Sequence, residues 1–155
     1  MDILKNYFAE HLDDADAEAD PAPERVLRME ALAARYLLFR VGQLRFAIAS
    51  TDVAAVTRSP ESGCEYLSAA VIVPPRYQAA ATVDASHESW VHLAGTRFGL
   101  GPCRAEGDVV LAAGAITPRP ERGDAPWITG TIAAPPSLVL ERAAVCARLV
   151  TAASA

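Results

Sequence analysis

Residues 36–48 read Tyr-Leu-Leu-Phe-Arg-Val-Gly-Gln-Leu-Arg-Phe-Ala-Ile, a short stretch with two different apolar patterns. The first part is a nearly continuous apolar run that ends at Gly42-Gln43, and apolar residues then alternate with polar Arg45. A glycine-containing pair between two such runs is typical of a hairpin turn, and alternation with a period of two is typical of a strand. The stretch therefore predicts a β-hairpin.

The same pattern begins again at Trp90. Residues 90–94 are mostly apolar, Gly95-Thr96 follows, and Arg97-Phe98 opens a second return strand. Two copies do not make a solenoid, but they indicate an internal pseudo-repeat of two similar β units. The residues that alternate as core residues should are Phe39, Phe46, Ile48, Phe98 and Leu100.

Proline-punctuated apolar runs extend the β prediction along the chain, and a helix closes it. The further strands are predicted at residues 71–73, 79–83, 109–112, 127–132 and 138–140. A short helix is expected from Glu24 to Ala34, before the first strand, and a terminal helix from Glu141 to Val150. The fold class is mainly β, and about 120 residues suffice for a stable core.

The first 24 residues differ in charge from the remainder. They hold eight carboxylates and the single lysine, a balance of −7, whereas the chain as a whole has a net charge of −5. A short helix capped by Asp2 is predicted there, with Tyr7, Phe8 and Leu12 on its apolar face, followed by an acidic linker to residue 23. Three interpretations stay open: a disordered terminus, a tethered peptide that docks on a partner, or packing on its own domain. We expect a tail at 1–23 and a domain at 24–155.

Composition excludes several classes of function. Apolar residues make up 52% of the chain, but 32 residues are alanine, and no stretch has the roughly 18 apolar residues of a membrane span. The acidic balance lacks the basic stripe of a nucleic-acid-binding protein. Three widely spaced cysteines do not form a disulfide framework, which favours a reducing, cytoplasmic compartment. We expect no membrane insertion and no nucleic-acid partner.

Residues with catalytic or metal-binding chemistry are few. A set of His87, His92 and Cys103 matches no compact zinc spacing, and the two histidines are expected to be exposed or to cap backbone groups. Gly99 and Gly101 lack the lysine of a phosphate loop, so a close backbone approach explains them better. We expect no cofactor, no metal and no enzyme activity. A small enzyme dependent on Cys64, Cys103 or His92 is the alternative from another class.

Several segments together resemble the CheW-like domain family of chemotaxis adaptors. Residues 36–48 with Thr51-Asp-Val-Ala-Ala-Val are similar to its opening strands, and Thr96-Arg-Phe-Gly-Leu is similar to its second half. Pro126-Trp-Ile-Thr-Gly-Thr-Ile, then Leu138-Val-Leu and a helix, resemble its end. Residues 71–77 and 122–131, with the aromatic tail peptide, are similar to the ParP-like branch. The resemblance covers roughly residues 36–150.

This resemblance implies two SH3-like five-stranded barrels with a C-terminal helix, the first barrel shortened because residues 63–73 lack the family's Asn-Leu-Arg-Gly segment. It implies a non-enzymatic scaffold that binds the regulatory domain of the chemotaxis histidine kinase and the cytoplasmic tips of chemoreceptors. The ParP-like likeness further implies polar array localisation and a ParA-like ATPase as partner of the tail. A generic SH3-like interaction module outside chemotaxis is the alternative.

The interface candidates lie in the two segments that carry the ParP-like resemblance. Trp127 is either an aromatic anchor or a core residue of the second unit, and Val71 has the same two interpretations. The full set of candidates is Val71, Ile72, Arg76, Tyr77, Trp127 and Ile128. For the tail, the docking candidates are Tyr7, Phe8 and Leu12.

Overall fold

A computed structural model of the chain describes residues 33–121 and 123–154. The predicted hairpin is confirmed, because β1 (Ala33–Val41) and β2 (Leu44–Ala49) pair antiparallel, with Val41 opposite Leu44 across the turn. The strand begins at Ala33, so the prediction of helix for residues 33 and 34 is wrong: pairing in a sheet overrides the helix propensity of alanine. The predicted tail helix and linker, with Tyr7, Phe8 and Leu12, lie outside the described residues.

The second predicted hairpin is also confirmed, but its return strand is longer than predicted. Strand β5 (Ser89–Leu93) leads through a turn at Gly95 into β6 (Phe98–Ala112), which continues for 15 residues. The predicted close approach at the two glycines is confirmed, because a Cβ on Gly99 would overlap the Tyr66 ring and one on Gly101 the Trp90 ring.

The described residues form a mainly β fold with one C-terminal helix. The remaining elements are β3 (Val53–Thr57), β4 (Glu65–Leu67), β7 (Ile116–Pro118), β8 (Ile128–Ala133), β9 (Pro136–Leu140) and α1 (Arg142–Ser154). Strands β3, β4 and β7 were not predicted, since each is short and lacks a clear apolar alternation.

The nine strands of the described residues form one open mixed sheet in the order β3-β5-β6-β1-β2-β9-β8-β7, and β4 pairs with β6 outside this path. β2 pairs parallel with β9, and β4 pairs parallel with β6. Antiparallel pairing joins β1 to β2, β3 to β5, β5 to β6, β7 to β8 and β8 to β9. The long β6 joins the two predicted units, because it pairs with β5 and with β1. The arrangement as two five-stranded barrels stays a prediction.

Two of the predicted strands are wrong. Residues 71–73 and 79–83 fall in or beside two 3₁₀ helices, Ala69–Ile72 and Pro75–Ala80. Ser68 caps the first, since its hydroxyl accepts from the Ala70 N–H at 3.3 Å. The side-chain amide of Gln78 donates to the Val73 carbonyl at 2.8 Å, so backbone groups that a strand would pair are satisfied locally.

Two hydrophobic clusters lie on opposite faces of β1 and β2. The larger holds Phe39 and Phe46, whose rings stack 5.7 Å apart, and it includes all five predicted core residues. Helix α1 covers this cluster with Val145 and Leu149, both fully buried. The smaller cluster consists of Leu38, Ala47, Ile132 and Val139. The alternation read from residues 36–48 thus sorts side chains between two cores.

Within the described residues, none of the helices has the length and apolar character needed to span a membrane.

Candidate protein-interaction surfaces

The two segments that carry the interface candidates meet in space around Trp127. The indole Nε1–H donates to the carbonyl oxygen of Ile72 at 2.7 Å, a contact that joins positions 55 residues apart. Arg148, on α1, lies 5.4 Å from the centre of the Trp127 ring and donates from Nε to the Val71 carbonyl at 3.1 Å. A cation over an aromatic face stabilises this arrangement, so Trp127 and Arg148 hold the 69–73 turn against α1.

An open groove runs beside this contact, along α1. It has a volume of about 430 Å³, and most of its exposed lining is apolar. The helix contributes positions at spacings of three and four, which lie on one face. We call this the tryptophan groove; its lining residues are Pro126, Trp127, Ala144, Ala147, Arg148 and Thr151. Two alanines on its helical wall permit close approach of a second backbone.

A second depression begins at Tyr77, which is 40% exposed. The guanidinium of Arg76 lies 4.9 Å from the centre of the Tyr77 ring, a cation–π distance. One cavity of about 260 Å³ lies between this pair and β8, lined also by Asp124. Another of about 430 Å³ lies between Tyr77 and the β1–β2 turn. Tyr77, Thr131 and Leu138 line both cavities, so we treat them as one surface, the tyrosine cleft.

An ion pair stands at one rim of the tyrosine cleft. Arg45 lines the cleft, and its Nε donates to Glu106 Oε1 at 2.6 Å. This hydrogen bond lowers the pKa of Glu106 and raises the pKa of Arg45, so both groups are charged at neutral pH. The Arg45 side chain is 23% exposed and the Glu106 side chain 25%, so solvent still screens the pair; its contribution to folding is small, but it holds the Arg45 guanidinium in a defined place.

The six interface candidates fall into three classes of exposure. Ile72 and Ile128 are fully buried, so a partner of the folded domain cannot contact their side chains. Trp127 is 6% exposed, which corresponds to the core interpretation, although its ring still lines the tryptophan groove. Val71 is half-buried against the core, whereas Arg76 and Tyr77 are exposed. Of the six candidates, these last two are the ones that a partner can contact most readily.

Sequence reasoning missed the part that α1 plays in the surface. Ala144, Ala147 and Arg148 line the tryptophan groove, yet the terminal helix was predicted only as a packing element. The spacing of these small residues along one helix face was a usable signal, since alanines at such positions let a neighbouring helix come close.

The three cysteines do not form a reactive thiol site. Burial raises the pKa of Cys103 to about 12, and burial is also the main cause that raises the pKa values of Cys64 and Cys146. The thiolate is the nucleophilic form, so these environments disfavour thiol chemistry at neutral pH. His92 contacts the backbone instead, because its Nε2 lies 2.7 Å from the Thr96 carbonyl oxygen. In residues 33–121 and 123–154, no group of three potential metal ligands comes together.

The environment of His87 was left open by the sequence. It is buried, at 8% exposure, and its Nε2 accepts a hydrogen bond from the Gly42 N–H at 3.1 Å. Its Nδ1 lies 3.0 Å from Asp84 Oδ1 and 3.2 Å from the backbone nitrogen of Asp84. Of the two predicted possibilities, exposure is wrong and capping of a backbone group is confirmed. The ring ties the 84–87 loop to the β1–β2 turn.

No model of a known protein family matches the sequence, and no curated protein sequence matches it either. Among solved structures, the chain is similar to the crystal structure of the scaffolding protein TtCheW from Thermoanaerobacter tengcongensis. The TM-score is 0.51 at 12% sequence identity, and the likeness covers 70% of this chain and 88% of that chain. At this identity the likeness is one of fold, and the chain has a CheW-like fold.

Proposed function

We propose that the chain is a non-enzymatic adaptor of bacterial chemotaxis signalling, which binds the regulatory domain of the histidine kinase and the cytoplasmic tips of chemoreceptors. The observation that carries the proposal is the likeness of its fold to a scaffolding protein over most of the length of both chains. The raised pKa values of its thiols are consistent with a binding role, since they leave no activated cysteine at neutral pH.

The tryptophan groove suits a helical partner. It is bounded on one side by α1, and Ala144 and Ala147 leave room for an apolar helix face, the recognition mode in which a helix lies in a groove. The resemblance to the CheW-like family implies that a receptor tip binds such a domain as a helix. We assign the receptor tip to this groove, with Arg148 as the group that contacts its polar rim.

The tyrosine cleft suits the kinase domain. An exposed tyrosine beside an arginine is a typical interface anchor, because both side chains bury a large apolar area and keep a polar end. A partner built of β-strands can cover the cleft without entering it deeply, and contacts of modest area gain strength in an array by multivalency. We assign the kinase regulatory domain to Tyr77 and Arg76.

Titration calorimetry of the purified chain against the kinase regulatory domain of the same organism, and against a receptor-tip fragment, tests both assignments. We expect saturable binding of each partner, with micromolar dissociation constants. Tyr77→Ala should weaken the kinase at least about tenfold, since truncation of an anchor costs 2 kcal/mol or more. The matched control is Val110→Ala, which removes an apolar side chain that is 62% exposed and lines neither surface.

Ala147→Arg should weaken the receptor fragment and leave the kinase unchanged, because a long side chain would fill the groove. Ala143→Arg makes the same chemical change at an exposed position of α1 that does not line the groove, and should leave both partners unchanged. If the folded chain binds neither partner, the adaptor proposal fails and the generic SH3-like interaction module replaces it.

The same proposal has three further parts. The chain belongs to the ParP-like branch, it is located in the cytoplasm in polar arrays, and its tail binds a ParA-like ATPase. They rest on the residues of the tail peptide and of segments 71–77 and 122–131. We expect the labelled chain to gather at a cell pole, and the triple substitution Tyr7→Ala, Phe8→Ala, Leu12→Ala to disperse it. Unchanged polar foci in the triple variant would remove the docking role of the tail. The domain limits of 1–23 and 24–155 are proposed on the same basis.

A further inference from the structure

His87 connects the β1–β2 turn to the loop that precedes β5. Its Nε2 accepts from the Gly42 N–H of the turn at 3.1 Å, and 4% of its side chain is exposed. Its Nδ1 lies 3.0 Å from Asp84 Oδ1, in its own loop. The next N–H of the turn, that of Gln43, donates to the Ala80 carbonyl at 2.8 Å. Two consecutive N–H groups therefore fasten the turn to the segment that precedes β5.

The groups on the two sides of the ring favour opposite charge states. An imidazole nitrogen accepts from a backbone N–H only while it carries no proton, so the bond from Gly42 needs the neutral ring. A carboxylate beside the ring favours the protonated form. Asp84 is ionised throughout the neutral range, because hydrogen bonds from Ser86 lower its pKa to about 2. The ring of His87 thus lies between a donor that favours its neutral form and a charge that favours its cationic form.

One charged group faces this ring from the part of the chain that the structure describes. It is the carboxylate of Asp84, whose side chain is 69% exposed. The hydroxyl of Ser86, 3.4 Å from Nδ1, is uncharged, and Glu88, next in sequence, is exposed. The β1–β2 turn brings backbone N–H groups to this junction, and Ala80 brings a carbonyl. A proton taken up by the ring is therefore compensated on the Asp84 side and opposed on the side of the turn.

We propose that His87 is a pH-sensitive latch of the β1–β2 turn, closed while its ring is neutral and opened when the ring is protonated. In the protonated ring Nε2–H and the Gly42 N–H are two donors that face each other, so the hydrogen bond between them is lost. The cation stays paired with Asp84 and separates from the turn with that exposed side chain. The charge of a histidine ordinarily changes between pH 5 and pH 8, so we expect the opening in this range.

The turn forms part of the wall of the tyrosine cleft, so its release changes that surface. Gln43 and Leu44 line the cleft together with Tyr77. The turn also lies close against Ala80, the last residue of the 3₁₀ helix that carries Tyr77. A partner that requires the closed turn binds less tightly to the protonated form, and its binding in turn disfavours protonation. For the kinase domain this consequence rests on the proposed function, whereas the latch itself does not.

NMR spectroscopy of the full chain between pH 8 and pH 5 tests the latch. We expect the amide signals of Gly42 and Gln43 to shift with the same midpoint as the ring protons of His87. Hydrogen exchange of the Gly42 N–H, corrected for the intrinsic effect of pH, should be about fivefold faster at pH 5.5 than at pH 7.5, because one hydrogen bond is lost. Constant Gly42 and Gln43 signals during the ring titration would overturn the proposal. So would a His87 ring that takes up no proton above pH 5.

Two histidine variants identify the group responsible. His87→Gln does not titrate, and its amide can accept from Gly42 and donate to Asp84, so the Gly42 signal should stay constant from pH 8 to pH 5. His92→Gln is the matched control, because His92 contacts the Thr96 carbonyl rather than the turn, and the pH dependence of Gly42 should persist in it. Persistence of that dependence in folded His87→Gln, or its loss in His92→Gln, would reject His87 as the latch. If His87→Gln does not fold, the titration of the unchanged chain still decides.

Titration calorimetry with the kinase regulatory domain separates the latch from the adaptor proposal. We expect binding to weaken about fivefold more between pH 7.5 and pH 5.5 for the unchanged chain than for His87→Gln, a comparison that cancels the kinase's own titration. An equal effect of pH on the two chains would remove the influence of the latch on the tyrosine cleft. No binding at pH 7.5 would reject the kinase assignment, and the NMR titration would still decide the latch.

Discussion

The indole N–H of Trp127 and the carbonyl oxygen of Ile72 form a 2.7 Å hydrogen bond between two turns that lie in different β units of the sequence. Both groups are buried, with Trp127 at 6% exposure and Ile72 at 0%. The bond holds the 3₁₀ turn Ala69–Ile72 beside the start of β8. Trp127 also lines the tryptophan groove, so the bond fixes one wall of that surface.

Trp127→Phe should lower the free energy of unfolding by about 1–3 kcal/mol, because the aromatic ring stays while the Ile72 carbonyl loses its donor. Trp127→Ala should cost about 3–5 kcal/mol, because a cavity is added to that loss. Urea unfolding followed by circular dichroism measures both values. Tyr77→Ala is the control, an exposed aromatic whose loss should change stability by less than about 0.5 kcal/mol. Equal stability of Trp127→Phe and the unchanged chain would contradict the structural role.

Acid should weaken the loop that carries His87, in a defined pH range. The hydroxyl and backbone N–H of Ser86 donate to Asp84 Oδ1, and these bonds are the main cause that lowers the pKa of Asp84 from 3.8 to about 2. A carboxyl group with a lowered pKa in the folded state contributes stability above its unfolded pKa, and this contribution is lost as the pH falls through the folded pKa. The loss is therefore expected between about pH 4 and pH 2.

The Asp84→Asn variant isolates this contribution, because the amide keeps an acceptor for Ser86 and does not titrate. Urea midpoints measured from pH 5 to pH 2 should fall more steeply for the unchanged chain than for the variant. Parallel curves would mean that Asp84 does not contribute. An NMR titration of the Asp84 carboxyl carbon gives the pKa directly.

The hairpins were predictable because their information is local. Gly42 and the alternation from Leu44 to Ile48 specify a turn and a strand within a few residues, and the second unit repeats this pattern. The strands predicted at 71–73 and 79–83 failed for a reason that is also local. Ser68 and Pro74–Pro75 favour 3₁₀ turns, and this turn chemistry outweighs the short apolar run between them.

The candidate surfaces were only partly predictable. Of the candidates in segment 71–77, Arg76 and Tyr77 are exposed, whereas Ile72 is fully buried. The meeting of Trp127 with Ile72 depends on how two distant segments pack, and no spacing in the sequence encodes a contact between positions 55 residues apart. The place of β3 at one end of the strand order of the described residues was likewise hidden, since a strand's position in a sheet depends on how distant segments pack.

Thiol labelling should separate Cys103 from the other two cysteines. Cys103 is fully buried, and burial raises the pKa of its thiol to about 12, so at pH 8 almost none of it is thiolate. We expect no reaction of Cys103 with an aromatic disulfide reagent in the folded protein and reaction of all three thiols in urea. The folded Cys103→Ala variant should have the same number of reactive thiols as the folded unchanged chain. In urea the variant should have one reactive thiol fewer than the unchanged chain. Rapid native labelling of Cys103 would contradict the burial and revive the thiol-enzyme alternative.

The β1–β2 turn gives the sharpest test of packing around His87. Gly42 has φ of +63°, and a Cβ there would overlap the backbone of Ala80 and Ala81. Gly63 also has a positive φ, of +86°, but nothing lies within 4 Å of its Cβ position. Gly63→Ala therefore measures the backbone strain alone, about 1–2 kcal/mol, whereas Gly42→Ala adds a clash of about 1–3 kcal/mol.

Urea unfolding of the two glycine variants measures the difference. Gly42→Ala should be the less stable by the clash contribution, and the His87 ring should lose its Gly42 N–H donor as the turn moves away from Ala80. An NMR shift of the His87 ring protons in Gly42→Ala, absent from Gly63→Ala, would report that displacement. Equal loss of stability in the two variants would mean that the turn yields without disturbing residues 80–87, and that His87 does not hold it in place.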